Sequence, residues 1–161
     1  MLLNKKKGGF KTIQIIEDDI RYGIKKIMAK NNPIYHFTIS NTDVYSAKQL
    51  RFILTNKIFN RIHKDYKKSY EFLNYIFVIE YPEKVSRGNL IPDDCEVHSH
   101  IIIETSLLPQ QIDFYIKTTF RNSDVFSERI DKRNDKHNFV NYLLKQKHLF
   151  TDNNYNYKIL N

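Results

Sequence analysis

The sequence predicts one α+β domain with a split β-α-β arrangement, in which helices pack on one face of an antiparallel sheet. Two observations predict this fold class. Apolar residues recur at helical spacing in several segments, and short segments between them are rich in β-branched and aromatic residues. After an N-terminal helix, the predicted order is strand, helix, strand, strand, helix, strand and helix. The second face of the sheet is expected to be free to hold a functional site.

The first helix is predicted from an apolar stripe formed by Ile16, Ile20, Ile24 and Ile27. It ends before Asn31-Asn32-Pro33, which breaks helices, so residues 1–33 are interpreted as an N-terminal helical extension. The next seven residues, Ile34–Ser40, are mostly aromatic or β-branched and are predicted to form the first strand.

A second helix is predicted to begin at Ser46, which forms a capping box with Gln49, and to end near Lys64. Its apolar face consists of Leu50, Ile53, Leu54, Ile58 and Ile62. A third helix begins near Pro109 and carries Ile112, Tyr115, Ile116 and Phe120. The last helix is predicted over residues 139–147.

The clearest strand is Asn74–Tyr81, which Pro82 terminates, and the next is Glu96–Thr105. Together these two strands suggest a hairpin with a long, exposed connection. A short strand is predicted near residues 125–130, and residues 148–161 are interpreted as a C-terminal tail. The combination is the ferredoxin-like form of the split β-α-β fold.

The formal charge of +8 favours anionic partners. A hydrophobic content of 41% is too high for a disordered tail, so the charge is expected on a folded surface that binds nucleic acid. Candidate contacts to a nucleic-acid backbone are Lys5, Lys6, Lys7, Lys132, Arg133 and Lys136.

Several protein classes are excluded by composition. The single cysteine, Cys95, excludes an internal disulfide framework and indicates a reducing, intracellular compartment. Runs of about 18 apolar residues do not occur, which argues against a signal peptide, a membrane span or a membrane partner. The four glycines form no phosphate-binding motif, which argues against a nucleotide-driven motor.

The chemically informative pattern is His98-Ser99-His100 on a predicted strand. Alternate side chains of a strand share a face, so both imidazoles project to one side, about 7 Å apart along the backbone. Glu80 lies at the end of the preceding strand and, in a suitable register, would add a carboxylate. Two imidazoles and a carboxylate leave coordination positions open for substrate oxygens. Other candidates for the third ligand are Asp94, Glu96 and Glu104.

A second pattern, Asn141-Tyr142-Leu143-Leu144-Lys145, lies on the last predicted helix. Tyr142 and Lys145 are one turn apart and therefore neighbours, which places an ammonium beside a phenol. Tyr155 and Tyr157 are possible rivals to Tyr142, but they have no helical lysine nearby.

The order of these motifs resembles that of the HUH endonucleases, specifically the rolling-circle replication initiators of small plasmids and single-stranded DNA viruses. Phe37–Ser40 is similar to their first motif, Glu96–Thr105 to the metal-binding second, and Asn141–Lys145 to the third, which carries a single tyrosine. The resemblance covers about residues 34–147. Ser99 departs from the pattern, since the family usually has a bulky hydrophobic residue there.

The resemblance implies that His98 and His100 bind Mg²⁺ or Mn²⁺, with Glu80 as third ligand, Tyr142 as nucleophile and Lys145 as its helper. The expected reaction is sequence-specific nicking and rejoining of single-stranded DNA through a 5′-phosphotyrosine link, which initiates rolling-circle replication. Expected partners are single-stranded DNA at an origin hairpin or nick site, a host helicase and a polymerase. The expected location is the cytoplasm or nucleoid of a bacterium, or a virus's replication compartment.

Three alternatives are open from the sequence. A single-tyrosine HUH transposase or relaxase of a mobile element would use the same chemistry. A non-catalytic, RRM-like RNA-binding module would stack bases on sheet aromatics such as Tyr75 or Phe77. An iron oxygenase with two histidines and one carboxylate usually occupies an all-strand barrel, which the predicted helices disfavour.

Overall fold

A computed structural model describes residues 11–67, 73–86, 95–130 and 136–160 of the chain. Its helices and strands are α1 (Ile13–Met28), β1 (Ile34–Ser40), α2 (Ala47–Phe52), α3 (Asn60–Tyr66), β2 (Leu73–Glu80), α4 (Glu83–Ser86), β3 (His98–Thr105), α5 (Pro109–Thr119), β4 (Asp124–Arg129), α6 (Lys136–Leu143) and β5 (Tyr155–Lys158). A π-helical segment, Ile53–Phe59, joins α2 to α3. Over the described ranges, every helix is too short or too polar to traverse a lipid bilayer.

The five strands form one antiparallel sheet in the order β4-β1-β3-β2-β5. The first four strands and the helices between them form the predicted split β-α-β fold. Ser46 accepts a hydrogen bond from the Gln49 amide and Pro109 is the first residue of α5, as expected for helix starts.

The helices α2, α3 and α5 pack on one face of the sheet. This core contains aromatic and aliphatic side chains from both layers, including Phe37, Leu54, Phe59, Phe77, Ile101 and Ile116. Tyr75 and Phe77, the base-stacking residues of the RNA-binding alternative, are stacked with Phe59 inside this core. Neither ring is accessible to a base.

Two further helices, α1 and α6, pack on the second face, which the sequence predicted to be free. The isoleucine stripe of α1 covers Ile76, Val78 and Ile102. Gly23 permits this close approach, because a Cβ atom there would lie 2.8 Å from the Ile76 side chain. The helix of the predicted N-terminal extension is therefore part of the core, and α1 leaves the end of this face that carries His98 and His100 uncovered by its isoleucine stripe.

The segment predicted as a C-terminal tail contributes the fifth strand. β5 pairs with β2, and Tyr155 is buried beneath α1. Its hydroxyl donates to Asp19 and accepts from Lys11. Four residues are too few for a periodic pattern to predict a strand. This segment forms a strand because it pairs with the edge of β2.

Candidate metal centre

The strands β2 and β3 place three candidate ligands together at one end of the second face. Glu80 is the register partner of His98, and His100 lies two residues further along β3 on the same face. Glu80 Oε1 is 3.2 Å from His98 Nε2 and 3.0 Å from His100 Nε2. Among the described residues, these three side chains form the single group with metal-ligand spacing. Strand register therefore favours Glu80 over Glu96 and Glu104, the other two candidate carboxylates among the described residues.

The two other candidate carboxylates that the structure describes, Glu104 and Glu96, are engaged in other hydrogen bonds. Glu104 is buried at the far end of β3, where its oxygens accept hydrogen bonds from Asn32 and Asn74. Glu96 precedes β3 and accepts from the Asp43 amide. Asp94 lies outside the described residues.

The distances from Glu80 to the two histidines are compatible with ligands that share one cation. Octahedral coordination at about 2.1 Å places adjacent ligand atoms about 3.0 Å apart. The two nitrogen-to-oxygen distances are close to this value, and they also suit N–H···O hydrogen bonds.

Lys145 supplies the countercharge for Glu80. Its Nζ lies 2.7 Å from both carboxylate oxygens, although the carboxylate is fully buried and the lysine is partly exposed. Burial acts to raise the pKa of Glu80, but hydrogen bonds from His100, His98 and the lysine outweigh it. The pKa of Glu80 is held well below its usual range, so an ionised ligand is present.

The helix α6 brings Tyr142 to the same cluster. The Tyr142 ring is edge-on to the His100 ring with centroids 5.1 Å apart, and it remains 43% exposed. Lys145, in the turn after α6, places Nζ 3.9 Å from the centre of the tyrosine ring. Burial and the negative charges of Glu80 and Glu128 raise the pKa of the phenol. Forming a phenolate here therefore requires additional positive charge.

His36 on β1, which none of the sequence motifs indicated, also belongs to this cluster. Its Nε2 lies 3.1 Å from His100 Nδ1, and its ring is edge-on to Phe139 of α6. Burial and the neighbouring His100 lower the pKa of His36, which favours the neutral imidazole. The alternation of Ile34–Ser40, with Phe37 and Ile39 on the core face, was the available signal for His36 and Thr38.

The remaining predicted positions are accounted for as follows. Ser99 lies on the sheet face that packs against α2, α3 and α5. Its buried hydroxyl donates to the Val78 carbonyl there, so this small polar residue has a hydrogen-bond partner. Tyr155 is held by Asp19, and Tyr157 packs against Tyr22 of α1. Neither rival tyrosine therefore approaches the histidines as Tyr142 does.

The predicted backbone contacts Lys5, Lys6, Lys7, Lys132 and Arg133 lie outside the described residues. Lys136 is the first residue of α6. An exposed aromatic residue that the sequence analysis missed, Phe126 on β4, pairs with Thr38, which in turn pairs with His100. Phe126 therefore lies two strands from the candidate metal ligand.

Comparisons of the chain with protein-family models, curated proteins and solved structures found no match. The resemblance to HUH endonucleases thus stays a prediction from the motifs. The sheet itself is open, with β4 and β5 at its edges, and it is flanked by helices. This architecture differs from the all-strand barrel expected for the iron oxygenase alternative.

Proposed function

We propose that this protein is a metal-dependent endonuclease of the HUH type, which nicks and rejoins single-stranded DNA through Tyr142. The observation that carries the proposal is the cluster of Glu80, His98 and His100 beside an exposed tyrosine on one sheet face. These side chains come from β2, β3 and α6, so tertiary packing brings an exposed tyrosine next to a candidate cation site.

Each residue has a distinct role in the proposed reaction. Glu80, His98 and His100 would hold Mg²⁺ or Mn²⁺, which supplies positive charge beside the scissile phosphate. Tyr142 Oη forms a bond to phosphorus while the bond from phosphorus to the 3′ oxygen breaks. The phenol proton passes through solvent to that 3′ oxygen. Lys145 stabilises the charge that develops on the tyrosine oxygen.

The reaction conserves the phosphodiester energy, so attack by a 3′-hydroxyl on the phosphotyrosine reverses it and rejoins DNA. The free 3′-hydroxyl left by nicking is a primer end, which suits initiation of rolling-circle replication with a host helicase and polymerase. We place this activity inside the cell, at a bacterial nucleoid or a viral replication compartment.

Transfer of labelled DNA to the protein tests the proposal. Single-stranded oligonucleotides of random sequence, labelled at the 3′ end, are incubated with the protein and Mn²⁺, and adducts that survive boiling in detergent are measured. A 5′-phosphotyrosine link retains the 3′ label, whereas a 5′ label is released. We expect Tyr142→Phe to abolish the adduct.

Tyr22→Phe is the matched control, because Tyr22 is similarly exposed but lies on α1. It should form the adduct at the wild-type rate. An adduct that persists in Tyr142→Phe would assign the nucleophile elsewhere, and the absence of any adduct would refute the proposed activity. A transposase or relaxase would give the same adduct, because it would use the same chemistry.

A further inference from the structure

A hydrogen-bonded network of side chains connects the candidate ligand His100 to an exposed carboxylate on β4. His100 Nδ1 lies 3.1 Å from His36 Nε2, and Thr38 Oγ1 lies 3.3 Å from each of these nitrogens. On its other side, His36 Nδ1 lies 3.4 Å from Glu128 Oε1. The side chain of His36 is 7% exposed and that of Glu128 is 55% exposed, so this network extends from the buried cluster to the surface.

Sheet register and α6 determine these positions. Glu128 is the register partner of His36 on the edge strand, and Thr38 is the partner of His100. Phe139 of α6 contacts the His36 ring edge-on with centroids 4.9 Å apart. The orientation of the imidazole is therefore restricted from both sides.

The hydrogen-bonding capacity of these groups determines where the protons lie when His100 binds a metal. A neutral imidazole has one N–H and one bare nitrogen. His100 Nε2 faces Glu80 and must be bare to act as a ligand, so its proton must be on Nδ1. That proton is donated either directly to His36 Nε2 or to Thr38, whose hydroxyl then donates to His36 Nε2. Both routes end at the same acceptor.

The bare Nε2 of His36 requires that its own proton be on Nδ1. This proton faces Glu128, whose ionised carboxylate can only accept. The donors and acceptors are thus matched throughout when His100 is a metal ligand. With the opposite tautomer of His36, two hydrogen-bond acceptors would face each other at Nδ1 and Oε1.

We propose that His36 and Glu128 are positioning residues that hold His100 in its metal-binding tautomer and orientation. This inference rests on the metal centre of the proposed function. Outer hydrogen-bond partners of ligating histidines commonly contribute about 10- to 100-fold in metal affinity. Here the outer partner is a second histidine, which connects the buried ligand to a carboxylate on the surface.

Mn²⁺ titration of the full chain, followed by the spectroscopic signal of free Mn²⁺, tests the role of His36. We expect His36→Leu to weaken binding about 10- to 100-fold because it removes the acceptor. His36→Gln, which offers an amide oxygen near the position of Nε2, should retain affinity within a few-fold. Glu128→Gln keeps an acceptor without the charge and should weaken binding several-fold.

Two outcomes separate this inference from the proposed function. If the wild-type protein binds Mn²⁺ and a folded His36→Leu variant binds it equally well, the positioning role of His36 is refuted but the metal centre is not. If the wild-type protein binds no Mn²⁺, both are refuted. Melting temperatures without metal report whether a variant is folded.

A measurement on the wild-type protein avoids any folding defect. Imidazole ¹⁵N chemical shifts recorded with Mg²⁺ should show the proton of His100 on Nδ1 and that of His36 on Nδ1. A proton on Nε2 of either histidine in the metal-bound protein would overturn the proposed positioning of His100 by His36 and Glu128.

Discussion

Lys145 forms an ion pair with Glu80 in which its ammonium lies 2.7 Å from each carboxylate oxygen. The same ammonium lies over the Tyr142 ring. One lysine therefore neutralises a candidate metal ligand and contacts the candidate nucleophile. Its positive charge opposes a cation at Glu80 but favours negative charge on the phenol, so its removal should affect the two functions in opposite directions.

We expect Lys145→Ala to tighten Mn²⁺ binding several-fold, because the carboxylate loses a competing positive charge. The same variant should form the DNA adduct more slowly, because the developing negative charge on Tyr142 is less stabilised. Mn²⁺ titration and single-turnover adduct formation measure these effects. Lys147→Ala, which removes an ion pair with Glu17 instead, is the control and should change neither. Weaker Mn²⁺ binding in Lys145→Ala would show that the lysine supports the ligand.

Binding of a metal only to the folded protein should stabilise it. At a Mn²⁺ concentration 100 times Kd, the expected gain in the free energy of unfolding is about 2.7 kcal/mol. His98→Ala should abolish this gain but leave binding of single-stranded DNA largely intact. Urea unfolding with and without Mn²⁺ measures the difference.

His63→Ala is a suitable control for this experiment. In the part of the chain that the structure describes, the buried Nε2 of His63 has no hydrogen-bond partner, and α3 lies on the other face of the sheet. The stabilisation by Mn²⁺ should persist in this variant. If His98→Ala is stabilised as much as the wild-type protein, the ion binds elsewhere.

Phe126 is expected to stack on a base of bound single-stranded DNA. It is 61% exposed and lies in the same cross-strand row as His100. We expect Phe126→Ala to weaken binding by about 1 to 3 kcal/mol, the usual contribution of one stacked base. Phe114→Ala provides the comparison, because this side chain is 59% exposed but lies on α5. Fluorescence anisotropy with a labelled oligonucleotide measures both. Equal affinity of Phe126→Ala and wild type would exclude this path for DNA.

Glu104 is expected to contribute to the stability of the fold, whereas Glu80 is expected to contribute to metal binding. Glu104→Ala leaves the amides of Asn32 and Asn74 without their acceptor, and a loss of about 2 to 4 kcal/mol in stability is expected. Under conditions where this variant is folded, Mn²⁺ affinity should be unchanged. Glu80→Gln should lose Mn²⁺ binding. A large fall in the Mn²⁺ affinity of folded Glu104→Ala would contradict this division of roles.

Local patterns in the sequence were sufficient to predict most elements of the fold. The isoleucine stripe predicted α1, and alternation along β3 placed His98 and His100 on one face, because both periodicities follow from backbone geometry. The motif Asn141–Lys145 likewise predicted that Tyr142 and Lys145 are neighbours, although α6 ends at Leu143 and Lys145 lies in the turn that follows, not on the helix predicted over residues 139–147. These relationships join residues a few positions apart, so they do not depend on the rest of the chain.

Tertiary structure decided what those patterns left open. The pairing of β2 with β3 placed Glu80 opposite His98, and the position of β1 beside β3 brought His36 to His100. The helix α1 packs on the sheet face that was expected to be open. The strand β5 pairs with the edge of β2. Each result depends on pairing and packing between segments distant in the chain, whose free energies a local pattern does not contain.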